Sequence, residues 1–447
     1  MNPVLDRIRI ALQGTPFEDQ VWLVGGAVRD RLLGRPTGDD LDLTTTQSGP
    51  ELAQHLYRLG LATHPPVLFE RFGTAMLTIG GTQVEIATTR KDSYDGLTRK
   101  PVVERGTVAE DAARRDFTIN ALFQPLSNGP ILDPTGLGLA DLKAKILRSP
   151  LEPKATFRDD PLRMLRAVRF RWKLGFAYAE GLDQAIRDSV TFLPIISIER
   201  IRDEVLKMLA HPTAADALDD LMQLGILPIV APELVPMVDC TQGRYHDKDV
   251  WRHTLQVVRN LAGEPIHVIL AGLLHDVGKP VTRQLDANGD IRFFGHEAVG
   301  ADLTVRFLRR WKFPESEIEQ VRMLVKNHMR LGSAQPFTDT AARRLLRDLG
   351  DLTDPLFTLV RADQNALRAG IDVFDVDTVQ AIVAKVRDKT PASKLQCPLT
   401  GEEIMALTGL GPGHEVGKIK AQLLELVLSG EIGPDDRTAA LAWLKSR

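Results

Sequence analysis

Val21-Trp22-Leu23-Val24-Gly25-Gly26-Ala27-Val28-Arg29-Asp30, followed by Asp40-Leu41-Asp42-Leu43, decides how this chain folds. The run Val21 to Val24 reads as a buried strand that ends at a glycine pair. Alternate residues of a strand point to the same face. Asp40 and Asp42 therefore aim their carboxylates together, while Leu41 and Leu43 turn to the core. Paired carboxylate oxygens suit hard divalent cations such as Mg²⁺. Gly25 and Gly26 let phosphate groups approach the backbone closely, which makes Gly26 a candidate contact. Arg29 is its cationic partner. A plain strand-turn-helix with surface acids would use the same residue types; the spacing is what brings phosphate and metals to one place. Asp39 extends the acids to a triplet, so the assignment rests on the Asp-x-Asp phase.

Downstream, Ala75 to Ile79 and Val84 to Thr88 flank Gly80-Gly81, a hairpin pattern. Glu85 lies in the second strand with Val84 and Ile86 on the opposite face, and is the candidate third carboxylate. A plain exposed strand glutamate is the alternative. Arg90 to Val108 reads as a long loop containing Asp95-Gly96-Leu97-Thr98-Arg99-Lys100-Pro101, of a length that is uncommon unless functional or disordered. Arg114-Arg115-Asp116 then precedes what reads as an apolar helical run, Phe117 to Leu122. Two cations there would neutralise a triphosphate; otherwise they mark a helix start capped by Asp116.

Asp159-Asp160-Pro161-Leu162-Arg163-Met164-Leu165-Arg166-Ala167-Val168-Arg169-Phe170 opens a helix, with an aspartate as cap and Pro161 at the first position. Asp160 and Arg163 are neighbours at three-residue spacing. A carboxylate only accepts hydrogen bonds and a guanidinium only donates. Cytosine and adenine present an amino donor beside a ring-nitrogen acceptor, whereas uracil and guanine present the reverse. One fixed Asp160/Arg163 pair can thus accept C and A while rejecting U and G. A local ion pair on a solvated helix is the alternative. Arg166 and Arg169 continue the stripe toward phosphates or RNA.

The 447 residues exceed one core, so several domains are expected. Hydrophobic residues make up 43% and charged residues 26%, with a net charge of −3. That balance carries no global basic signal for nucleic acid, so any such binding needs a local patch. No apolar stretch approaches the roughly 20 residues of a membrane span. The start of the chain lacks a secretory pattern, and Cys240 and Cys397 suggest no disulfide framework, so a reducing cytoplasm is the expected compartment. After Pro150 the apolar spacing turns helical almost to the end. The expected division is a head at 1–150, a basic helical neck at 151–215, a helical body at 216–395 and a tail at 396–447.

Taken in order, Gly25-Gly26-x-Val28-Arg29-Asp30, Asp40-x-Asp42, Arg114-Arg115-Asp116 and Asp160-x-x-Arg163 resemble the bacterial class II tRNA nucleotidyltransferase and poly(A) polymerase family of the DNA polymerase β superfamily. Glu199-Arg200-Ile201-Arg202-Asp203-Glu204-Val205-Leu206-Lys207 looks like that family's neck motif. The resemblance covers about residues 20 to 210. It implies an α+β fold, a polymerase β-like head followed by all-helical neck, body and tail. It also implies addition of C, C and A to tRNA from CTP and ATP without a template. Asp40, Asp42 and Glu85 would act with Mg²⁺, Gly26, Arg29, Arg114 and Arg115 would hold the triphosphate, and Asp160, Arg163, Arg166 and Arg169 would serve the base. CC-adding, A-adding or poly(A)-forming enzymes of the same family are the narrower alternatives. The Arg90 to Val108 loop argues against CC addition alone, because the family associates it with the switch to ATP. Arg99-Lys100-Pro101 stands where such enzymes often have Arg-Arg-Pro.

A second constellation, His253, His275-Asp276 and Asp363, resembles the HD phosphohydrolase pattern. It implies a divalent metal (Mg, Mn, Ni or Co) and hydrolysis of phosphomonoesters or 2′,3′-cyclic phosphates. His296 and His328 can add ligands for a second metal or bind phosphate, while His267 is read as packing. An HD hydrolase whose head only binds RNA is the rival of another class, and intact Asp40, Asp42 and Arg115 argue against it.

Overall fold

Val21–Val24 is buried along its whole length and sits inside a sheet rather than at its edge. The computed structural model describes residues 2–36, 38, 40–93, 102–243, 247–333, 336–368, 370–371 and 373–446. The chain packs as two units, Met1–Glu204 with Gln223–Val230, and Val205–Met222 with Ala231–Arg447. No described helix is long and apolar enough to cross a membrane.

In the first unit the strands around the site are β1 (Val21–Val24), β2 (Leu41–Thr45), β3 (Val67–Phe69), β4 (Thr74–Ile79), β5 (Thr82–Thr88), β6 (Arg90–Ser93), β7 (Val102–Arg105) and β8 (Phe123–Pro125), and a short parallel pair, Ile146–Leu147 with Ala177–Tyr178, follows them. Six of them form one sheet in the order β3-β4-β5-β2-β1-β8. Strands β4 and β5 make the expected hairpin, closing with Ile79 opposite Thr82. Strands β2 and β5 are parallel, with Asp42 opposite Glu85. Leu41, Leu43, Val84 and Ile86 are almost fully buried. Asp42 and Glu85 alternate with them and emerge on the other face, as the pleat requires.

Two sequence expectations need correction here. The Arg90 to Val108 segment is not loop throughout: β6 and β7 pair as an antiparallel hairpin at its ends. Asp95 to Pro101 lie outside the described residues, as does Asp39. The apolar run after Arg114-Arg115 is not a helix. The arginines instead follow a helix, Val108–Ala113, that Thr107 and Glu110 open with a capping box. Phe117 to Phe123 then pass through a single 3₁₀ turn, Thr118–Asn120, into β8. All but the slightly less buried Asn120 are fully buried, and a short run buried on every side carries no periodicity to separate helix from strand.

The second unit is helical apart from a small hairpin, Gln284–Leu285 with Ile291–Arg292. Helix Ile266–Leu274 buries every residue from Val268 to Leu274, the signature of a helix surrounded by others. Helices Val250–Asn260, Glu315–Asn327 and Thr353–Gln364 pack around it. Near the end of the chain, Leu399, Ile404, Ile419, Leu423, Val427 and Leu444 form a small core of their own.

Candidate active site and candidate metal centre

The carboxylates of the first unit meet on the open face of the sheet. Asp40 directly precedes β2, Asp42 lies within it and Glu85 stands beside Asp42 on β5; all three are exposed. Although solvent reaches Asp42, desolvation by the surrounding atoms raises its pKa above the ordinary value. The guanidinium of Arg115 opposes the shift and the charge of Asp40 adds to it. Glu85 is raised by desolvation and then by the charge of Asp42. Acids that raise one another leave a demand for positive charge that divalent cations meet. An all-oxygen donor set fits hard ions. Gly25 closes the site from behind: at φ +68° it needs the freedom of glycine, and a Cβ there would lie 3.3 Å from Asp42 Oδ2 and 4.0 Å from Arg115 Nη1.

The expected arginines are all nearby, but each is anchored. Arg29 is 3% exposed. It donates to both oxygens of Asp30, at 2.8 and 2.9 Å, and to Asn120 Oδ1 at 2.7 Å. This makes it a buried clamp behind Gly26. Arg114 and Arg115 grip the two oxygens of Asp111, which is fully buried. Arg166 makes a two-pronged contact with Asp116 at 2.9 and 2.6 Å. Arg169 donates to Glu204 at 2.6 Å. The guanidinium groups of Arg169, Arg29 and Arg166 also surround the Phe170 ring, at 4.3, 5.1 and 5.3 Å from its centre. The Asp160 and Arg163 side chains do not bond each other: Asp160 pairs with Arg200 at 3.0 Å, and Arg163 reaches the carbonyls of Thr156 and Arg114.

Sequence reading missed Asp111, Asn120, Arg200 and Glu204 as parts of this site. Asp111 was recoverable, since Arg114 and Arg115 follow it at three and four residues. The partnership of Asp116 with Arg166 spans fifty residues and has no local signal. A cavity of about 530 Å³ lies elsewhere in this unit, lined among others by Ser48, Arg71, Phe72 and Arg105, and does not include the carboxylates. Volume alone therefore does not mark the chemistry.

Asp111 supplies a stability prediction. Burial works to raise its pKa, but Arg115 and Arg114 overcome this and hold it below the ordinary value. A depressed carboxylate contributes stability that is fully present above its unfolded pKa, about 3.9. That contribution is lost as pH falls through the folded value. Asp111→Asn should cost about 3 kcal/mol at pH 7, the scale for breaking a buried pair. The difference should close below about pH 4 in urea unfolding followed across pH. A penalty that stays constant to low pH would refute the charge-based explanation.

In the second unit, His253, His275 and Asp363 gather as one potential ligand group, and Asp276, His296 and His328 as another. Asp276 lies between them. Its Oδ2 is 3.1 Å from His275 Nε2 and 3.8 Å from His253 Nε2, and its Oδ1 is 3.5 and 3.9 Å from the Nε2 atoms of His296 and His328. Asp363 Oδ1 is 2.8 Å from His253 Nε2. His275, His296 and His328 each place Nδ1 against a carbonyl three residues earlier, at 2.7–2.8 Å. That turns Nε2 of each toward the cluster, where the Nε2 atoms of His296 and His328 lie 3.2 Å apart. Burial first, and then His275, push the His328 pKa down to about 3, so it stays neutral and able to ligate. Lys279 Nζ sits 2.7 Å from Asp276 Oδ2. Gly278 lets two backbones touch: a Cβ there would fall 2.2 Å from the His296 carbonyl oxygen. The buried His275 Nε2 has no hydrogen-bond partner. This mixed nitrogen and oxygen set fits a divalent metal.

Residues 21–148 match a family described as "Poly A polymerase head domain", 175–237 "Probable RNA and SrmB- binding site of polymerase A", and 244–391 "HD domain". An A-adding tRNA nucleotidyltransferase of Deinococcus radiodurans is 35% identical over 95% of both chains. A CC-adding tRNA nucleotidyltransferase of Thermus thermophilus is 33% identical over 95% of this chain and 94% of its own. The structure of the Bacillus stearothermophilus CCA-adding enzyme in complex with CTP is similar over 100% of this chain and 98% of that one, at 25% identity and a TM-score of 0.72.

Proposed function

Since this chain belongs to the tRNA nucleotidyltransferase and poly(A) polymerase family, we propose that it adds C and A to the 3′ end of tRNA from CTP and ATP, in the cytoplasm. The observation that carries this reading is the pairing of Asp42 with Glu85 across β2 and β5, with Asp40 beside them and Arg115 behind. In the reaction the 3′-hydroxyl loses its proton, its oxygen bonds the α-phosphorus, and the bridging oxygen leaves with pyrophosphate. Asp40, Asp42 and Glu85 would hold Mg²⁺, which when bound would lower the pKa of the hydroxyl and offset the charge of the leaving pyrophosphate. Arg115 and Arg114, fixed by Asp111, line the triphosphate path. Arg29 acts from behind by fixing the turn at Gly26. The proposed division of labour is transfer at 1–150, base selection at 151–215 and HD chemistry at 216–395.

Asp160 and Arg163 select the base, with Arg166 and Arg169 as the rigid frame beneath them. Their being unpaired with each other supports this, because neither side chain spends its hydrogen-bonding groups on the other. Arg163→Ala should lose discrimination as well as rate, whereas Arg169→Ala should lose mainly rate. Mismatched bases leave buried groups unsatisfied at roughly 1–3 kcal/mol each, so about ten- to hundredfold of selectivity is at stake. The check is single-nucleotide incorporation with all four triphosphates. An Arg163→Ala variant as strict as the parent would remove the pair as the reader.

The narrower names of two relatives that match nearly the whole chain favour a second reading, an enzyme that adds only A or only CC. Incubation with tRNA lacking CCA, lacking CA and lacking A, each with CTP or ATP alone, separates these cases. Extension of all three forms supports full CCA addition. Extension of only the form lacking A would reduce the activity to A addition, and failure on that form with ATP would reduce it to CC. We propose further that the HD centre binds Mn²⁺, Ni²⁺, Co²⁺ or Mg²⁺ and hydrolyses phosphomonoesters or 2′,3′-cyclic phosphates.

A further inference from the structure

Helix Leu162–Leu174 carries Arg163, Arg166, Arg169, Arg171 and Lys173 and no acidic residue. Arg166, Arg169 and Lys173 follow one another at spacings of three and four, so they share a face. The charge of Arg166 is felt at Asp42, and Lys173 lies about 10 Å farther along the helix axis. The stripe thus leads away from the carboxylates. Protein acceptors take up its first two cations: Arg166 grips Asp116, and Arg169 grips Glu204. Lys173 is exposed and forms no ion pair among the described residues. Asp30, the acid that acts most strongly on it, has both oxygens engaged by Arg29. Arg35 donates to the carbonyls of Lys173 and Leu174 at 3.2 and 3.1 Å. Those carbonyls end the helix, where a cation in the last turn is ordinarily favourable, and Arg35 already fills that role. Although solvent reaches Lys173, desolvation by its neighbours holds its pKa below the ordinary lysine value, and Arg29, Arg169 and Arg35 add their repulsion. Positive charge therefore exceeds negative at this end of the helix.

We propose that Lys173, with Arg35 beside it, binds a backbone phosphate of tRNA, outside the site that holds the incoming nucleotide. This rests on the reading of tRNA as the substrate. A phosphate supplies the anion that the protein itself does not place against the stripe. Arg114 and Arg115 already serve the triphosphate, so a phosphate about two helical turns beyond Arg166 belongs to the longer polyanion. Arg35 spends two of its five donors on the helix carbonyls and keeps the others for the same phosphate. With a net charge of −3 the chain offers tRNA no general attraction, so local contacts of this kind carry the affinity.

The test is binding of tRNA lacking CCA to the full chain, followed by fluorescence anisotropy across about 50 to 200 mM salt, together with KM for tRNA and for CTP. Parent, Lys173→Ala, Lys173→Glu and Lys173→Arg are compared. Lys173→Ala should weaken tRNA binding about three- to fivefold at the low-salt end. It should also reduce the slope of log Kd against log salt by about 0.9, the value for one phosphate contact on a duplex. Lys173→Glu should weaken binding further, and Lys173→Arg should keep the parental slope, since the charge is retained. KM for tRNA should rise with Kd, while KM for CTP, the preference for C and A and the melting temperature stay at parental values. Parental Kd and slope in both Lys173→Ala and Lys173→Glu would overturn the proposal. So would a raised KM for CTP with unchanged tRNA binding, which would make Lys173 a triphosphate contact. If the parent itself binds no tRNA, the substrate reading fails first and this contact falls with it.

Discussion

Asp42→Ala is expected to abolish nucleotide addition, by at least about a thousandfold in kcat, equivalent to roughly 4 kcal/mol of transition-state stabilisation. Asp42 faces Glu85 across the sheet, adjoins Asp40 in charge and touches the space behind Gly25. Its removal therefore takes the centre out of the carboxylate cluster. The fold should survive, because the side chain is exposed between two buried leucines. Asp40→Ala should be equally inactive. Asp39→Ala should matter much less, since the assignment rests on the Asp-x-Asp phase of Asp40 and Asp42. If Asp39→Ala is the dead variant and Asp40→Ala is active, the phase of the acidic triplet has been assigned one residue off. Hydrolysis at the HD centre should continue in all three variants, because its ligands come from other elements.

Asp276→Ala is expected to abolish metal retention and phosphohydrolase activity together. Its two oxygens serve both histidine groups, so one substitution disables both. His275→Ala should do the same by removing the imidazole whose buried Nε2 has no hydrogen-bond partner. Nucleotide addition by the same preparations is the internal control for folding. Metal content by elemental analysis, read beside hydrolysis of a generic phosphate ester across Mn²⁺, Ni²⁺, Co²⁺ and Mg²⁺, supplies the measurement. A parent protein that retains no metal and cleaves no phosphate ester would make the cluster structural.

What could be read from the residues, and what could not, divides along range. The strand Val21–Val24, the inward Leu41 and Leu43 with Asp42 between them, and the hairpin at Gly80-Gly81 follow from period-two alternation and glycine turns, both local properties. The placement of Glu85 beside Asp42 follows from a parallel register that no local pattern encodes. The residues of the HD cluster were legible because His275-Asp276 is contiguous; the sequence placed Asp276 with His253, His275 and Asp363, whereas the packing of five segments groups it with His296 and His328. The arginines were found as cations, but their partners were not. Asp111 was within helical reach of them, whereas Asp116, Glu204 and Arg200 act across long stretches of chain. The run Phe117 to Leu122 was misread as helix because complete burial erases the polar face that reveals a period.

Anomalous scattering from crystals grown with CTP and Mn²⁺ examines the carboxylate assignment most directly. Mn²⁺ replaces Mg²⁺ at oxygen sites and can be located independently of any rate. The expected result is an anomalous peak within coordination distance of Asp40 and Asp42, next to an ordered triphosphate, that disappears in Asp42→Ala. An ordered triphosphate in the parent with no peak at Asp40 and Asp42, or with its metal held by other groups, would contradict the assignment.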